Sequence, residues 1–103
     1  MSAPTYPIFY VRRAHKAEKL VLDLGVARDR ATIAYDIVAV TVLDKGTGMF
    51  TLTFHFYDGT ELSLDHTEIT EGDVYEWDIA ELYLTNPAQS GATLKLIVDI
   101  QKG

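Results

Sequence analysis

Residues 50–64 read FTLTFHFYDGTELSL, and this stretch decides the fold. Before the turn, every second residue is large and apolar, namely Phe50, Leu52, Phe54 and Phe56. After the turn, Leu62 and Leu64 alternate with polar residues. Alternation with period two places one set of side chains on each face of a β-strand. Because Asp58-Gly59 joins the two runs, the sequence predicts a β-hairpin in which both turn positions take positive φ.

The same alternation extends outward from the hairpin in both directions. Upstream, Leu20, Leu22 and Leu24 alternate with Val21 and Asp23, and residues 37–43 form a near-continuous apolar run. A run of this kind is typical of a central strand that is covered on both faces. Downstream, residues 74–84 and 93–101 predict two more strands. A first strand is predicted at residues 8–12.

These strands, with turn signals about every ten residues, predict an all-β fold. The expected architecture is an antiparallel β-sandwich or jelly roll of about seven to eight strands. At 103 residues the chain forms one domain, residues 1–103, in which residues 1–13 are an extended N-terminal arm or strand. The core is predicted to include Leu52, Phe54, Phe56, Leu62, Leu94, Leu96 and Val98.

Composition argues against several classes of protein. Hydrophobic residues make up 48% of the chain, which disfavours intrinsic disorder. Without cysteine, the chain has no disulfide, thiolate metal site or cysteine nucleophile. No apolar run approaches the roughly 18 residues of a membrane span, and residues 1–10 lack the pattern of a signal peptide. We therefore expect a soluble protein, of undetermined compartment, that contacts no membrane.

Charge is distributed unevenly along the chain, whose net charge is −6. Residues 1–30 carry six Lys or Arg and three acidic residues, whereas residues 31–103 carry three Lys and twelve acidic residues. Nine of those acids, and no Lys or Arg, lie in residues 58–81. This balance argues against nucleic acid as a partner, because phosphates require a basic surface. The acidic segment is either a solvated face or a patch that complements a basic one.

Side chains that commonly carry catalysis or bind metal are sparse. His66 and Glu68 would share one face of an extended segment, but a metal site usually requires three or more protein ligands. Four acids offer oxygen ligands for calcium without matching a known loop spacing: Asp65, Glu68, Glu71 and Asp73. No serine lies in a nucleophile elbow, and no glycine-rich phosphate loop is present. We therefore predict a non-enzymatic protein with no catalytic residue, no bound metal and no cofactor.

Three aromatic residues form a candidate ligand platform: Tyr75, Trp77 and Tyr83. A platform for sugars requires two or three exposed rings, which these residues would supply. The alternative is that Trp77 belongs to the core or to a subunit interface, where large aromatic side chains are common.

The stretch from Asp78 to Val98 reads DIAELYLTNPAQSGATLKLIV. It resembles a recurrent C-terminal ending of small structural proteins of tailed phages and prophages. That ending has a strand of the form Ile-x-x-Leu-Tyr-Leu-Thr-Asn, a short Ala-Gln-x-Gly turn and a strand of the form Leu-x-Leu-x-Val. The resemblance implies a virion protein, such as a capsid decoration protein or a head or tail component. Such proteins usually work as homo-oligomers or in repeated copies.

The same stretch also has a purely physical interpretation as two strands of one core. Ile79, Leu82 and Leu84 are predicted to face inward, with a bulge between Ile79 and Leu82 that corrects the parity. Asn86-Pro87 then ends the first strand, and Gly91 permits the chain to return.

The leading hypothesis is a structural protein of a virus particle that contacts itself and other virion proteins and localises to the virion. A small carbohydrate- or ligand-binding β-sandwich is the alternative, and a cupin-like metal protein is the third. The N-terminal segment is aromatic and basic, and Tyr and Arg are enriched at interfaces. We predict a homo-oligomer whose interface includes Tyr6, Ile8, Phe9, Tyr10, Arg12 and Arg13.

Overall fold

Seven β-strands make up the regular structure of the chain, which a computed structural model describes over residues 14–102. In chain order they are β1 (Ala14–Asp23), β2 (Arg28–Asp44), β3 (Thr51–Phe56), β4 (Glu61–Asp65), β5 (Val74–Tyr75), β6 (Ile79–Asn86) and β7 (Thr93–Lys102). All their pairings are antiparallel and join them into one sheet. Within residues 14–102 there is no helix long and apolar enough to cross a membrane. The predicted all-β antiparallel fold is confirmed, whereas the strand predicted at residues 8–12 lies outside the described residues.

Strand β2 organises the sheet, whose strand order is β1-β7-β2-β6-β3-β4 with β5 also beside β2. The part of β2 up to Ile37 pairs with β6, and the part beyond Ile37 pairs with β7 on the opposite edge. Ile37 itself pairs with Ile79 on one side and with Ile100 on the other. Both halves of the sheet contribute to a single hydrophobic core, as expected of a sandwich-like fold.

Irregularities in β2 allow this one strand to pair with β6 in one half of the sheet and with β7 in the other. Two register shifts interrupt its pairing with β6, and two more interrupt its pairing with β7. Each shift inserts an extra residue into β2, and an extra residue bends a strand and increases its twist. Arg30 and Asp36 take positive φ values of 51° and 50°, which are uncommon for residues other than glycine.

The apolar run at residues 37–43 is not covered on both faces, contrary to the expectation from its composition. Ile37, Val40 and Val42 are buried, but Leu43 is 42% exposed. Register shifts after Ile37 and after Val42 change the parity of the strand. Apolar residues at consecutive positions therefore do not require a second core.

The core is built around aromatic and aliphatic side chains from both halves of the sheet. Phe54 is fully buried, and its ring centroid lies 5.5 Å from that of Tyr75 and 5.3 Å from that of Trp77. The buried apolar residues come from β2, β3, β6, β7 and the adjoining loops: Leu24, Ala34, Ile37, Val40, Val42, Phe50, Leu52, Phe54, Ile69, Ile79, Leu82, Leu84, Leu94, Leu96 and Val98. The predicted inward face of the last strand is confirmed.

The predicted hairpin is confirmed, but its turn differs from the prediction. Gly59 has φ 91°, whereas Asp58 is not among the residues with positive φ. The Gly59 N–H donates to the Phe56 carbonyl at 3.0 Å, and the Phe56 N–H donates to the Thr60 carbonyl at 2.9 Å. These bonds define a longer loop in which a turn is followed by one left-handed glycine, so only Gly59 needs positive φ.

Strand β4 lies at the edge of the sheet, which corrects the predicted core at one position. Leu62 pairs with Phe54, yet it is 39% exposed and is not a core residue. Phe56 is half-buried. An edge strand has a neighbouring strand on one side only. A side chain that points to the core from such a strand is therefore covered by fewer neighbours and stays partly exposed.

Strand β6 contains the predicted bulge. Its register against β3 shifts by one residue between Glu81 and Ile79. Ile79, Leu82 and Leu84 are all fully buried. The prediction that a bulge corrects their parity is confirmed.

A buried amide holds the end of β6 to the turn between β1 and β2. Asn86 is only 3% exposed, and its Nδ2 donates to the carbonyls of Leu24 at 3.2 Å and Val26 at 3.0 Å. Its Oδ1 accepts from Arg28 at 3.1 Å. Buried polar groups require such partners, because an unsatisfied group costs roughly 1–3 kcal/mol.

We expect Phe54→Ala to lower the free energy of unfolding by about 3–5 kcal/mol, because it leaves a cavity in a close-packed core. Leu62→Ala, at the paired position on the edge strand, is the control and should lower it by less than about 1 kcal/mol. Urea denaturation followed by circular dichroism measures both. Equal losses would show that the inward face is misassigned.

Candidate functional site

Trp77 lies in the connection between β5 and β6 and packs on rings from β3. Its ring centroid lies 5.3 Å from that of Phe54 and 5.9 Å from that of Phe56, both in edge-to-face geometry. Tyr75 is its other neighbour, with centroids 5.1 Å apart and an interplanar angle of 34°. Tyr75 and Trp77 are both half-buried, so part of each ring remains accessible. Burial, then the hydrogen bond to Asp73, raises the pKa of Tyr75 to about 12.

Tyr83, the third residue of the predicted platform, projects from the other face of the sheet. Its two neighbours on β6 are fully buried, and side chains alternate between faces along a strand. Its hydroxyl donates to Glu81 at 3.0 Å, and the Arg30 guanidinium lies 4.4 Å from its ring centroid. The structure therefore brings Tyr75 and Trp77 together and places Tyr83 elsewhere.

A groove opens beside Trp77, between the tip of the β3–β4 hairpin and the β5–β6 connection. Phe56, Leu62 and Trp77 supply its apolar floor. Polar residues supply its walls: Tyr57, Asp58, Thr60, Glu76 and Asp78. We refer to this set of residues as the aromatic groove.

A second depression adjoins the aromatic groove and is lined by Val38, Tyr57, Asp78 and Gln101. Tyr57 and Asp78 line both, so the two are neighbours. The Tyr57 hydroxyl donates to Asp36 at 2.5 Å, and Asp36 is one of the positive-φ residues of β2. The bend in β2 therefore positions one wall of the groove.

Three carboxylates make the walls of the aromatic groove acidic. The Thr60 hydroxyl donates to Asp58 at 2.6 Å and the Thr60 N–H donates at 2.9 Å, and these bonds lower the pKa of Asp58. Glu76 and Asp78 form no ion pair or side-chain hydrogen bond with another side chain of residues 16–101. An apolar floor with anionic walls is suited to a ligand that carries both apolar groups and positive charge.

A polar cluster on the opposite face joins four strands: Arg30, His55, Glu61, Glu81 and Tyr83. Arg30 donates through two nitrogens to Glu61, at 3.1 and 2.8 Å. The His55 Nδ1 lies 2.9 Å from Glu61 Oε2. Hydrogen bonds from Arg30 and then from His55 lower the pKa of Glu61 to about 2. Glu61 is therefore ionised at neutral pH and acts as a hydrogen-bond acceptor rather than as a proton donor.

The acidic connection between β4 and β5 uses its carboxylates to hold its own backbone. Asp65 accepts from the hydroxyl and the N–H of Thr67, which lowers the pKa of Asp65. Asp73 accepts from the Thr70 N–H at 2.9 Å, which lowers the pKa of Asp73. These carboxylates act as local caps of turns, a common role of Asp in loops.

Lys45 fastens this acidic connection to the turn after β2. Its ammonium donates to the carbonyls of His66 and Ile69, both at 2.8 Å. Its N–H donates to Glu71 at 3.1 Å. Ile69 is 1% exposed, so the same contact holds a core residue in place.

The two residues weighed as metal ligands have separate partners. The His66 ring lies 6.2 Å from the Phe50 ring, and Glu68 accepts from the Asp65 N–H at 3.0 Å. In the part of the chain that the structure describes, no three His, Cys, Asp or Glu side chains group as candidate metal ligands.

The interface predicted at Tyr6, Ile8, Phe9, Tyr10, Arg12 and Arg13 lies outside the described residues and stays a prediction. No protein-family model, no curated protein and no solved structure matches the chain. Function is therefore inferred from the residues and their geometry.

Arg30 and Lys45 are the contributors that sequence reasoning missed. Arg30 contacts a carboxylate 31 positions away and Lys45 contacts a carbonyl 24 positions away, so local patterning does not connect them. The sequence contained one indication of the role of Lys45, because Lys45 is the only Lys or Arg in residues 31–94. A single cation beside a long acidic stretch is a candidate partner for it.

We expect Glu61→Gln to weaken the dependence of stability on acidic pH. Folding lowers the pKa of Glu61 from 4.5 to about 2, so ionised Glu61 stabilises the fold above pH 4.5 and this contribution is lost as pH falls towards 2. Urea unfolding across that range should show a shallower decline for Glu61→Gln than for the wild type. Asp29→Asn, at an exposed position of β2 that forms no ion pair with the side chains of residues 16–101, is the control. A decline as steep in Glu61→Gln as in the wild type would contradict the assignment.

Proposed function

We propose that this chain is a non-enzymatic structural protein that assembles through contacts between copies. Its proposed setting is a virus particle, as a capsid decoration protein or a head or tail component. The resemblance of residues 78–98 to phage structural proteins supports the setting. The observation that carries the assembly is an exposed apolar face on the sheet.

This face belongs to the half of the sheet formed by β1, β7, β5 and the second part of β2. Thr41 pairs with Ile97 on one side and with Val74 on the other, so the three side chains form a row that points away from the core. Val21 and Leu43 flank this row and are 59% and 42% exposed, and Val74 is 52% exposed. We call Val21, Leu43, Val74 and Ile97 the outer apolar face.

The outer apolar face has the composition of a surface that a second copy covers. Burial of apolar surface contributes about 25 cal/mol per Å², and contiguous apolar patches on a surface often mark interaction sites. Lys19, Lys95 and Asp99 share this face, because they pair in register with Ile97, Val21 and Ala17. In a two-fold contact each copy presents the same patch, so the lysines of one copy can meet Asp99 of the other.

Strand β1 offers a second route to association. It has ten residues, pairs with β7 and has no other partner among the described strands. An unpaired strand edge presents backbone donors and acceptors to another chain. Contact through this edge would extend the same half of the sheet.

Sedimentation velocity of the full chain at tens of micromolar should show a species larger than the monomer. The double variant Val21→Lys/Val74→Lys should run as a monomer, because burial of an unpaired charge is unfavourable. Val26→Lys is the matched control, since Val26 is 60% exposed but lies in the β1–β2 turn. A monomeric wild type, or equal loss of association in the control, would refute assembly through this face.

The virion setting has a separate test in the genes that flank the coding sequence. Structural genes of phages cluster, so we expect the neighbouring genes to encode other virion proteins. A position among unrelated metabolic genes would refute the virion setting without affecting the proposed assembly.

A further inference from the structure

We propose that the aromatic groove is a binding site for the N-terminal segment of the same chain, residues 6–13. The groove offers an apolar floor and acidic walls, and the segment has the complementary composition. This inference does not rest on the assembly proposed above, which uses the outer face of the other half of the sheet. It replaces the interface between copies that the sequence predicted for these residues with a contact inside one chain.

The floor of the groove is an apolar surface that the described residues leave partly uncovered. Leu62 is 39% exposed although its paired residue, Phe54, is fully buried. Trp77 and Phe56 beside it are half-buried. Large side chains in this state lose contact with water when a further apolar group covers them, which favours binding.

The walls carry negative charge that no ion pair among the side chains of residues 16–101 offsets. Asp58 is held ionised by Thr60, and neither Glu76 nor Asp78 has a basic partner among those side chains. Arg30 and Lys45 contact the acidic segment elsewhere, at Glu61 and at the β4–β5 connection. Glu76 and Asp78 are therefore candidate partners for a cation from outside residues 16–101.

Residues 6–13 read YPIFYVRR and contain two arginines and no acidic residue. The tyrosines, Ile8 and Phe9 supply apolar surface for the floor. Arginine binds carboxylates through two parallel hydrogen bonds and also stacks on tryptophan, so Arg12 and Arg13 suit both the walls and Trp77.

The start of β1 fixes the point from which the segment would reach the groove. Ala14 pairs with Lys102 and His15 pairs with Gln101, so β1 begins beside the end of β7. Gln101 lines the neighbouring depression, which shares Tyr57 and Asp78 with the groove. Fully extended, the eight residues 6–13 reach about 26–29 Å.

Attachment favours the segment of the same chain over that of a neighbouring copy. A ligand tethered to its site has an effective concentration on the order of millimolar, well above the micromolar concentration of separate copies. Residues 6–13 are tethered to β1, so the segment of the same chain should occupy the groove before that of a second molecule does.

Trp77 is the only tryptophan in the chain, so its fluorescence reports on the groove directly. In the full chain, Arg12→Glu/Arg13→Glu should shift Trp77 emission to longer wavelength and increase acrylamide quenching. Glu76→Lys/Asp78→Lys should do the same, because it places like charges together. The combined variant restores opposite charges and should return both signals towards the wild type. Asp29→Lys, an exposed reversal on β2, is the control and should change neither.

Circular dichroism at each step confirms that the variants are folded. Emission that is unchanged in both reversals, or not restored in the combined variant, overturns the proposal. Wild-type emission that depends on protein concentration between about 1 and 100 μM also overturns it, because occupancy of a tethered site is independent of concentration.

A disulfide test distinguishes the possible occupants without depending on fluorescence. The chain has no cysteine, so Ile8→Cys/Thr60→Cys introduces a unique pair, with Thr60 on the groove wall. Mild oxidation should give a monomer with an internal disulfide. Cross-linked dimers alone would mean that a neighbouring copy supplies the segment, and absence of any disulfide would mean that the two positions do not meet. Either result overturns the proposal, and neither bears on the sedimentation test of the outer apolar face.

Discussion

Strand β2 must satisfy hydrogen bonds to β6 along one edge and to β7 along the other, and the rest of the structure depends on this double pairing. Register shifts within its 17 residues bend the strand, so that both halves of the sheet close on one core. The same irregularities position the polar groups. Arg30 takes its left-handed conformation where it contacts Glu61, and Asp36 does so where it holds Tyr57 at the groove. Core, groove and polar cluster are consequences of one bent strand.

Sequence alternation predicted the parts of the fold in which a strand has regular neighbours. The hairpin of residues 50–64 and the inward face of β7 follow from period two alone. In both, apolar side chains at every second position all point to the core, and no bulge interrupts the alternation. The errors occur where tertiary context decides. Leu62 has the inward parity but lies on an edge strand, and residues 37–43 are apolar throughout because register shifts change which positions face inward. The polar cluster was beyond prediction, since it joins residues from four strands that only the sheet order brings together.

The acidic segment, residues 58–81, illustrates why a charge run in a sequence does not specify a surface. The structure divides its nine acids among different tasks. Asp65 and Asp73 accept from nearby backbone, and Glu61 binds Arg30 and His55. The groove walls retain the carboxylates of Asp58, Glu76 and Asp78. A uniform solvated face and a single complementary patch were the two interpretations from sequence, and the arrangement is a mixture of internal caps, one ion-pair network and one localised anionic site.

Four of these carboxylates are ionised at neutral pH. Side-chain hydrogen bonds from Arg30, Thr60 and Thr67 lower the pKa values of Glu61, Asp58 and Asp65, and a backbone hydrogen bond from Thr70 lowers that of Asp73. A general acid or base works best with a pKa near the working pH, which requires the opposite shift for a carboxylate. Fixed negative charge beside partly exposed rings is instead suited to holding a basic, aromatic peptide. Because the groove is built on the hairpin tip and the bend of β2, its shape depends on the same hydrogen bonds that close the core. Occupation of the groove and stability of the fold are therefore expected to be coupled through β2.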